Sequence, residues 1–189
     1  MSAVTVQAVV TKKSGKGNSH GVVSEVSAFF HVKPGHADAL AAACERFNKR
    51  LKGASQEHHI RFGLRDMRHV IFDNGTRLCW ITAFETDWDP YIDDSLDTMG
   101  LPTWVDWFQH CEEYPDGFEN YTNNQVKGFI QSAQVRATNF FRSVSDLTMP
   151  EIRKGQRVRQ ALENVIDTPG GAQALEQPAL RPLLDEANY

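Results

Sequence analysis

The amino-acid sequence predicts an α+β fold, an antiparallel sheet with helices on one face in the order β-α-β-β-α-β, followed by a C-terminal helix. Three observations predict it. Residues 67–85 hold two runs rich in branched and aromatic side chains around Asp73-Asn74-Gly75-Thr76, a hairpin signal in which Asn-Gly tolerates positive φ. Residues 24–33 alternate, with Val26, Ala28, Phe30 and Val32 on one face and Ser27, Phe29, His31 and Lys33 on the other, and Pro34-Gly35 ends the run. Residues 36–52 then place Leu40, Ala41, Cys44, Phe47 and Leu51 at helical spacing, with Gly53 at the helix end.

The remaining elements follow in order. Val4 to Val10 suits an added edge strand, and the polar, glycine-bearing stretch after it reads as a loop, so that residues 1–23 form an N-terminal arm. Residues 54–65 read as irregular. Asp89 is the expected N-cap of a helix over 90–99, with Pro90 at its first position. A second helix over 103–111 puts Trp104, Trp107 and Phe108 on one face. Residues 112–133 read as loop-rich, with a short helix near 122–131, so the insertion runs over about 100–133. Residues 134–143 read as the last core strand and close a domain of residues 24–148. Thr148 or Met149, before Pro150 and Glu151, starts a C-terminal helix over 150–167, and residues 149–189 form that helix and a leucine-bearing tail.

At 189 residues the chain is long enough for a real core. No run reaches the length of a membrane span, and no apolar leader opens the sequence. Three dispersed cysteines, Cys44, Cys79 and Cys111, describe neither a disulfide framework nor a CxxC site, so reduced thiols and a cytoplasmic setting are expected. The net charge of −4 argues against nucleic acid as a partner. Its distribution is uneven: residues 46–77 carry eight Lys and Arg, and residues 85–119 carry eleven Asp and Glu and no Lys or Arg. These are two solvated faces, or surfaces that meet across a cleft or subunit interface.

The strand order, the run Phe30-His31-Val32-Lys33-Pro34-Gly35-His36 leading into the first helix, and the hairpin from Phe72 to Trp80 resemble the dimeric α/β-barrel superfamily of ferredoxin-like proteins over residues 24–145. The block from Phe84 to Asp94 resembles a segment of uncharacterised bacterial proteins of that fold. The superfamily includes cofactor-independent monooxygenases, stress-response proteins, isomerases and haem enzymes related to chlorite dismutase and dye-decolorising peroxidase. In many members the sheet faces of two subunits enclose a ligand cavity. The resemblance implies a homodimer and a small hydrophobic ligand. The insertion at 100–133 and the helical C-terminus depart from the smallest members.

Candidate chemistry centres on the run Arg65-Asp66-Met67-Arg68-His69 together with His31. A pocket histidine can act as a base, and an arginine can hold a carboxylate or enolate by paired donors. Asp66 orients His69 only if the backbone bends, because residues three apart in a strand face opposite ways. The plainer alternative makes Asp66 and Arg68 cross-strand salt-bridge residues. Trp80, Phe29, Trp104, Trp107 and Tyr114 supply flat apolar surface for an aromatic ligand, or a plain core. No HxH or HExxH pattern points to a metal, and the cluster Asp87, Asp89, Asp93, Asp94, Asp97 lacks the glycine and final glutamate of a calcium loop. No phosphate loop or nucleophile elbow is present. Three functions remain: a ligand-binding protein, as an oxygenase or isomerase without cofactor, with its pocket between sheet and helices; a haem protein with a histidine axial ligand; and a non-catalytic dimeric interaction module.

Overall fold

The computed structural model describes residues 17–187. The chain divides into two compact units at Asp146/Leu147. Val4 to Val10 lies outside the described residues.

The first unit holds a four-stranded antiparallel sheet among the described residues: β1 (Ser19–His20), β2 (Val23–His31), β3 (Leu64–Phe72) and β4 (Arg77–Phe84), in the order β1-β2-β4-β3. The β3–β4 hairpin turns on Asp73, Asn74 and Gly75, with φ of 54°, 54° and 83°. Gly75 is required twice over, because a Cβ there would also lie 2.9 Å from the Cβ of Ala37. Between β2 and β3 come α1 (Ala37–Gly53) and α2 (Gln56–Arg61); after β4 come α3 (Trp88–Met99), α4 (Leu101–Phe108), a 3-10 turn at Phe118–Asn120 and α5 (Asn123–Ala133).

Strand pairing fixes two faces. Ala28 opposite Trp80 and Phe30 opposite Leu78 lie on the helix-covered face, continued on β3 by Met67, His69 and Ile71. α1 contributes Leu40, Ala43 and Phe47 to the same core. α4 lays Trp104, Trp107 and Phe108 on it: Phe30 meets Trp107 at 5.7 Å and Phe108 at 5.6 Å, and Trp80 meets Trp104 edge-on at 5.3 Å.

Three expectations need correction. The stretch 134–143 is not a strand. Gln134 makes one bridge to Ala28, and the Val135 amide donates to the Ser27 carbonyl at 2.8 Å. Beyond that, the Asn18 side chain takes the place of a ladder, donating to the Ala137 carbonyl and accepting from Arg136 Nε. β1 occupies the edge beside the start of β2. Second, residues 54–65 contain α2, which Ser55 caps by accepting from the His58 amide. Third, the helix expected over 90–99 starts at Trp88 with Asp87 at the N-cap. Pro90 is tolerated there because first-turn N–H groups have no intrahelical partner. Asp89 binds Lys127 instead, at 2.9 Å. The short helix expected near 122–131 is α5, which Thr122 and Gln125 start with a capping box.

The second unit comprises α6 (Met149–Ile166), α7 (Gly171–Leu175) and α8 (Arg181–Ala187). Thr148 and Glu151 form the capping box of α6. Among the described residues, no helix is long and apolar enough to cross a membrane.

If the sheet's helix face is the core, Phe30→Ala lowers the unfolding free energy by about 3–5 kcal/mol in a urea titration. Val135→Thr, at a position 52% exposed, changes it by less than about 0.5 kcal/mol, where a core strand at 134–143 would demand more.

Candidate functional site

The run Arg65-Asp66-Met67-Arg68-His69 is contiguous in sequence but is dispersed by strand geometry. A register shift between Leu64 and Asp66 marks an irregularity at the start of β3. Arg65 there forms an ion pair with Glu85, their side chains only 5% and 7% exposed. Asp66 faces away from the helices and accepts from Arg142 at 3.1 Å, while its carbonyl accepts from the Thr82 hydroxyl. Arg68 shares that open face and is exposed, with no ion pair among the described residues. His69 points the other way, into the core.

The imidazole of His69 lies 4.8 Å from the Trp107 ring and 5.5 Å from Phe47, and its Nε2 has no hydrogen-bond partner among the described residues. Burial pushes its pKa well below the ordinary histidine value, to about 4, because the charged form loses hydration and gains no carboxylate. His69 is therefore neutral at pH 7. It can exchange hydrogen bonds, but as a base it is weak.

The space between sheet and helices is nearly filled. A void of about 20 Å³ remains there, walled by Trp80, Trp104, Met67, Tyr91 and neighbours. That is room for about one water molecule. Trp80, Trp104 and Trp107 are core residues that pack on one another and on Phe30 and Phe47. This void, lined by core side chains, cannot admit a haem macrocycle.

A recess of about 300 Å³ does open between α1 and β3, which is an edge strand. His69, Arg68 and Met67 line it from the strand, and Cys44, Glu45 and Asn48 from the helix. It brings together two of the expected residues, His69 and Arg68, and leaves Arg65, Asp66 and His31 elsewhere. Burial pushes the Cys44 thiol up to about 12, so it lines the recess as an apolar group and not as a thiolate.

The open face of the sheet carries the other candidates. In register across it lie Val70, Cys79 and Phe29, then Phe72, Arg77 and His31. Phe29 meets Phe72 edge-on at 6.4 Å, and the Arg77 guanidinium sits 5.4 Å over the Phe72 ring. His31 Nδ1 lies 2.6 Å from Glu113, whose carboxylate also accepts from the His31 amide. That contact suits Nδ1 as the donor and leaves Nε2 as an acceptor. Glu113 is 82 positions away in the chain, and no local pattern links it to His31. Tyr114 lies off this face, tilted against Phe118 at 5.1 Å with Lys33 above its ring.

No family model matches the chain, and no curated protein matches it. Among solved structures, the chain is similar to tetracenomycin F2 cyclase from Streptomyces glaucescens, a type-II polyketide cyclase, at 11% identity and a TM-score of 0.36, over 63% of this chain and 97% of that one.

The lowered pKa of His69 makes stability pH-dependent with a definite sign. Between about pH 6.5 and 4 the unfolded chain binds a proton at this position that the folded chain does not, so stability is full above 6.5 and falls as pH drops toward 4. The loss amounts to about 3 kcal/mol. His69→Phe keeps a ring in place and should remove that part of the slope when urea unfolding is followed from pH 8 to 4.

Proposed function

We propose that the protein binds a small, largely apolar molecule in the recess between α1 and β3, with Arg68 and His69 as its polar contacts. One observation carries this reading: the recess is where the apolar Cys44 and Met67, a neutral imidazole and an arginine without an ion pair among the described residues border one space of about 300 Å³, at the lower end of ligand-pocket volumes. The chemistry favours binding over proton abstraction. A base with a pKa near 4 lies about three units below neutrality and gives up about 4 kcal/mol of proton-transfer driving force relative to one matched to pH 7. His69 instead offers a buried nitrogen whose hydrogen bond a ligand can complete.

Asn48 is exposed and borders the recess, so Asn48→Trp fills it without disturbing the core. With 1-naphthol as the probe, binding followed by the imidazole resonances of His69 should weaken by about tenfold or more in Asn48→Trp. The unfolding free energy should stay within about 0.5 kcal/mol of the parent. Equal affinity in both proteins would remove the recess as the site.

A second reading, a homodimer, rests on the open sheet face. Phe29, Val70, Phe72 and Ile81 leave it partly apolar, with Val70 42% exposed. Asp66, paired to Arg142, stands at one end of the face and Arg77 with His31 at the other, so a two-fold related copy sets unlike charges together. Light scattering should then give a dimer for the parent chain and a monomer for Val70→Lys with unchanged helical content. A monomeric parent chain rejects this reading and leaves the recess untouched.

A further inference from the structure

The side of α1 that turns away from β3 holds a different arrangement. Arg46, Lys49 and Arg50 stand at i, i+3 and i+4, which places three cations on one flank of the helix. That flank borders a groove of about 660 Å³, and α4 with the residues around it forms the opposite wall. The groove also exposes apolar surface from Leu101, Pro102 and Val105, with the buried Phe47 beneath them.

The charges in it are unequally committed. Arg46 grips Asp106 with two donors, Nε to Oδ2 and Nη2 to Oδ1, both at 2.8 Å. This clamp fixes the spacing of α1 and α4 and occupies the Asp106 carboxylate, which Arg46 holds below its usual pKa range. The other carboxylate in the lining, Glu119, accepts from its neighbour Asn120. Lys49 and Arg50 have no ion pair among the described residues. Two uncommitted cations therefore stand beside an apolar floor in a groove of ligand size.

We propose that this groove binds an acyl carboxylate, with the chain against Leu101, Pro102 and Val105 and the carboxylate between Lys49 and Arg50. A fully polar anion would leave the floor wet, and a neutral chain would leave the cations without a partner, so a ligand carrying both parts is the one the groove complements.

The test uses the full chain and decanoate below its micellar concentration, with calorimetry and amide shifts over 46–50 and 101–106. One saturable site is expected. Decanol and acetate, which each lack one part, should bind about tenfold more weakly or worse, as should decanoate with Lys49→Gln/Arg50→Gln. Val105→Gln should weaken decanoate independently through the floor. Asn48→Trp should leave it unchanged, which separates this site from the recess on the other side of α1. Equal binding of decanoate and decanol, or full affinity in the double variant, overturns the proposal. So does co-sedimentation with phosphatidylglycerol vesicles that free decanoate does not displace, which would mark a membrane-surface patch.

Discussion

The packing of α4 against the sheet governs the rest of the molecule. Trp104, Trp107 and Phe108 bring three large rings from one short helix onto Phe30 and Trp80. Edge-on and tilted aromatic pairs of this kind each contribute about 0.5–1.5 kcal/mol beyond the area they bury. Their volume closes the interior to a remnant of about 20 Å³. The same rings dry out His69, which sets its protonation state. Because the interior is full, the open recesses lie on the flanks of α1, where the helix meets β3 on one side and approaches α4 on the other.

Electrostatics then decides which charges are available. The basic and acidic stretches of the sequence meet inside the first unit, through Arg46 with Asp106 and Arg65 with Glu85. Lys127, almost fully buried, joins Asp89 and Asp93 at 2.9 and 2.5 Å and ties α5 to α3. The buried Arg65–Glu85 pair and the buried Lys127 ammonium fix geometry more than they add stability, because deleting a partner strands a buried charge. Arg65 and Asp93 are thereby part of the framework. Arg68, Lys49 and Arg50 remain toward solvent, and both candidate binding surfaces are built around them.

The sheet core and the first helix were legible because period-2 and period-3.6 patterns report burial directly. The pairing of β2 with β4 registers Ala28 with Trp80 and Phe30 with Leu78, and α1 buries Leu40, Cys44 and Phe47, as the spacing requires. What failed to read was non-local. Asp89 looks like an N-cap, but its carboxylate answers Lys127, 38 positions later. Residues 134–143 have strand-like composition, but Asn18, over 110 positions earlier, supplies side-chain bonds where a ladder would form. The candidate site failed in the same way. Adjacent residues of Arg65-Asp66-Met67-Arg68-His69 looked like one constellation, whereas alternation and the irregularity after Leu64 send them to three different environments.

The two strand histidines show how strongly the face decides the chemistry. His69 and His31 are the same residue type, each beside an apolar strand neighbour. On the helix face, rings surround the imidazole and no carboxylate compensates it, so the neutral form wins and proton transfer at pH 7 is unfavourable. On the open face, Glu113 holds Nδ1 of His31 and leaves Nε2 toward solvent, the arrangement of an oriented base. That side chain is 61% exposed, and water competes for every interaction it makes. Burial and the nearest charged group, not residue type, therefore set what each imidazole can do.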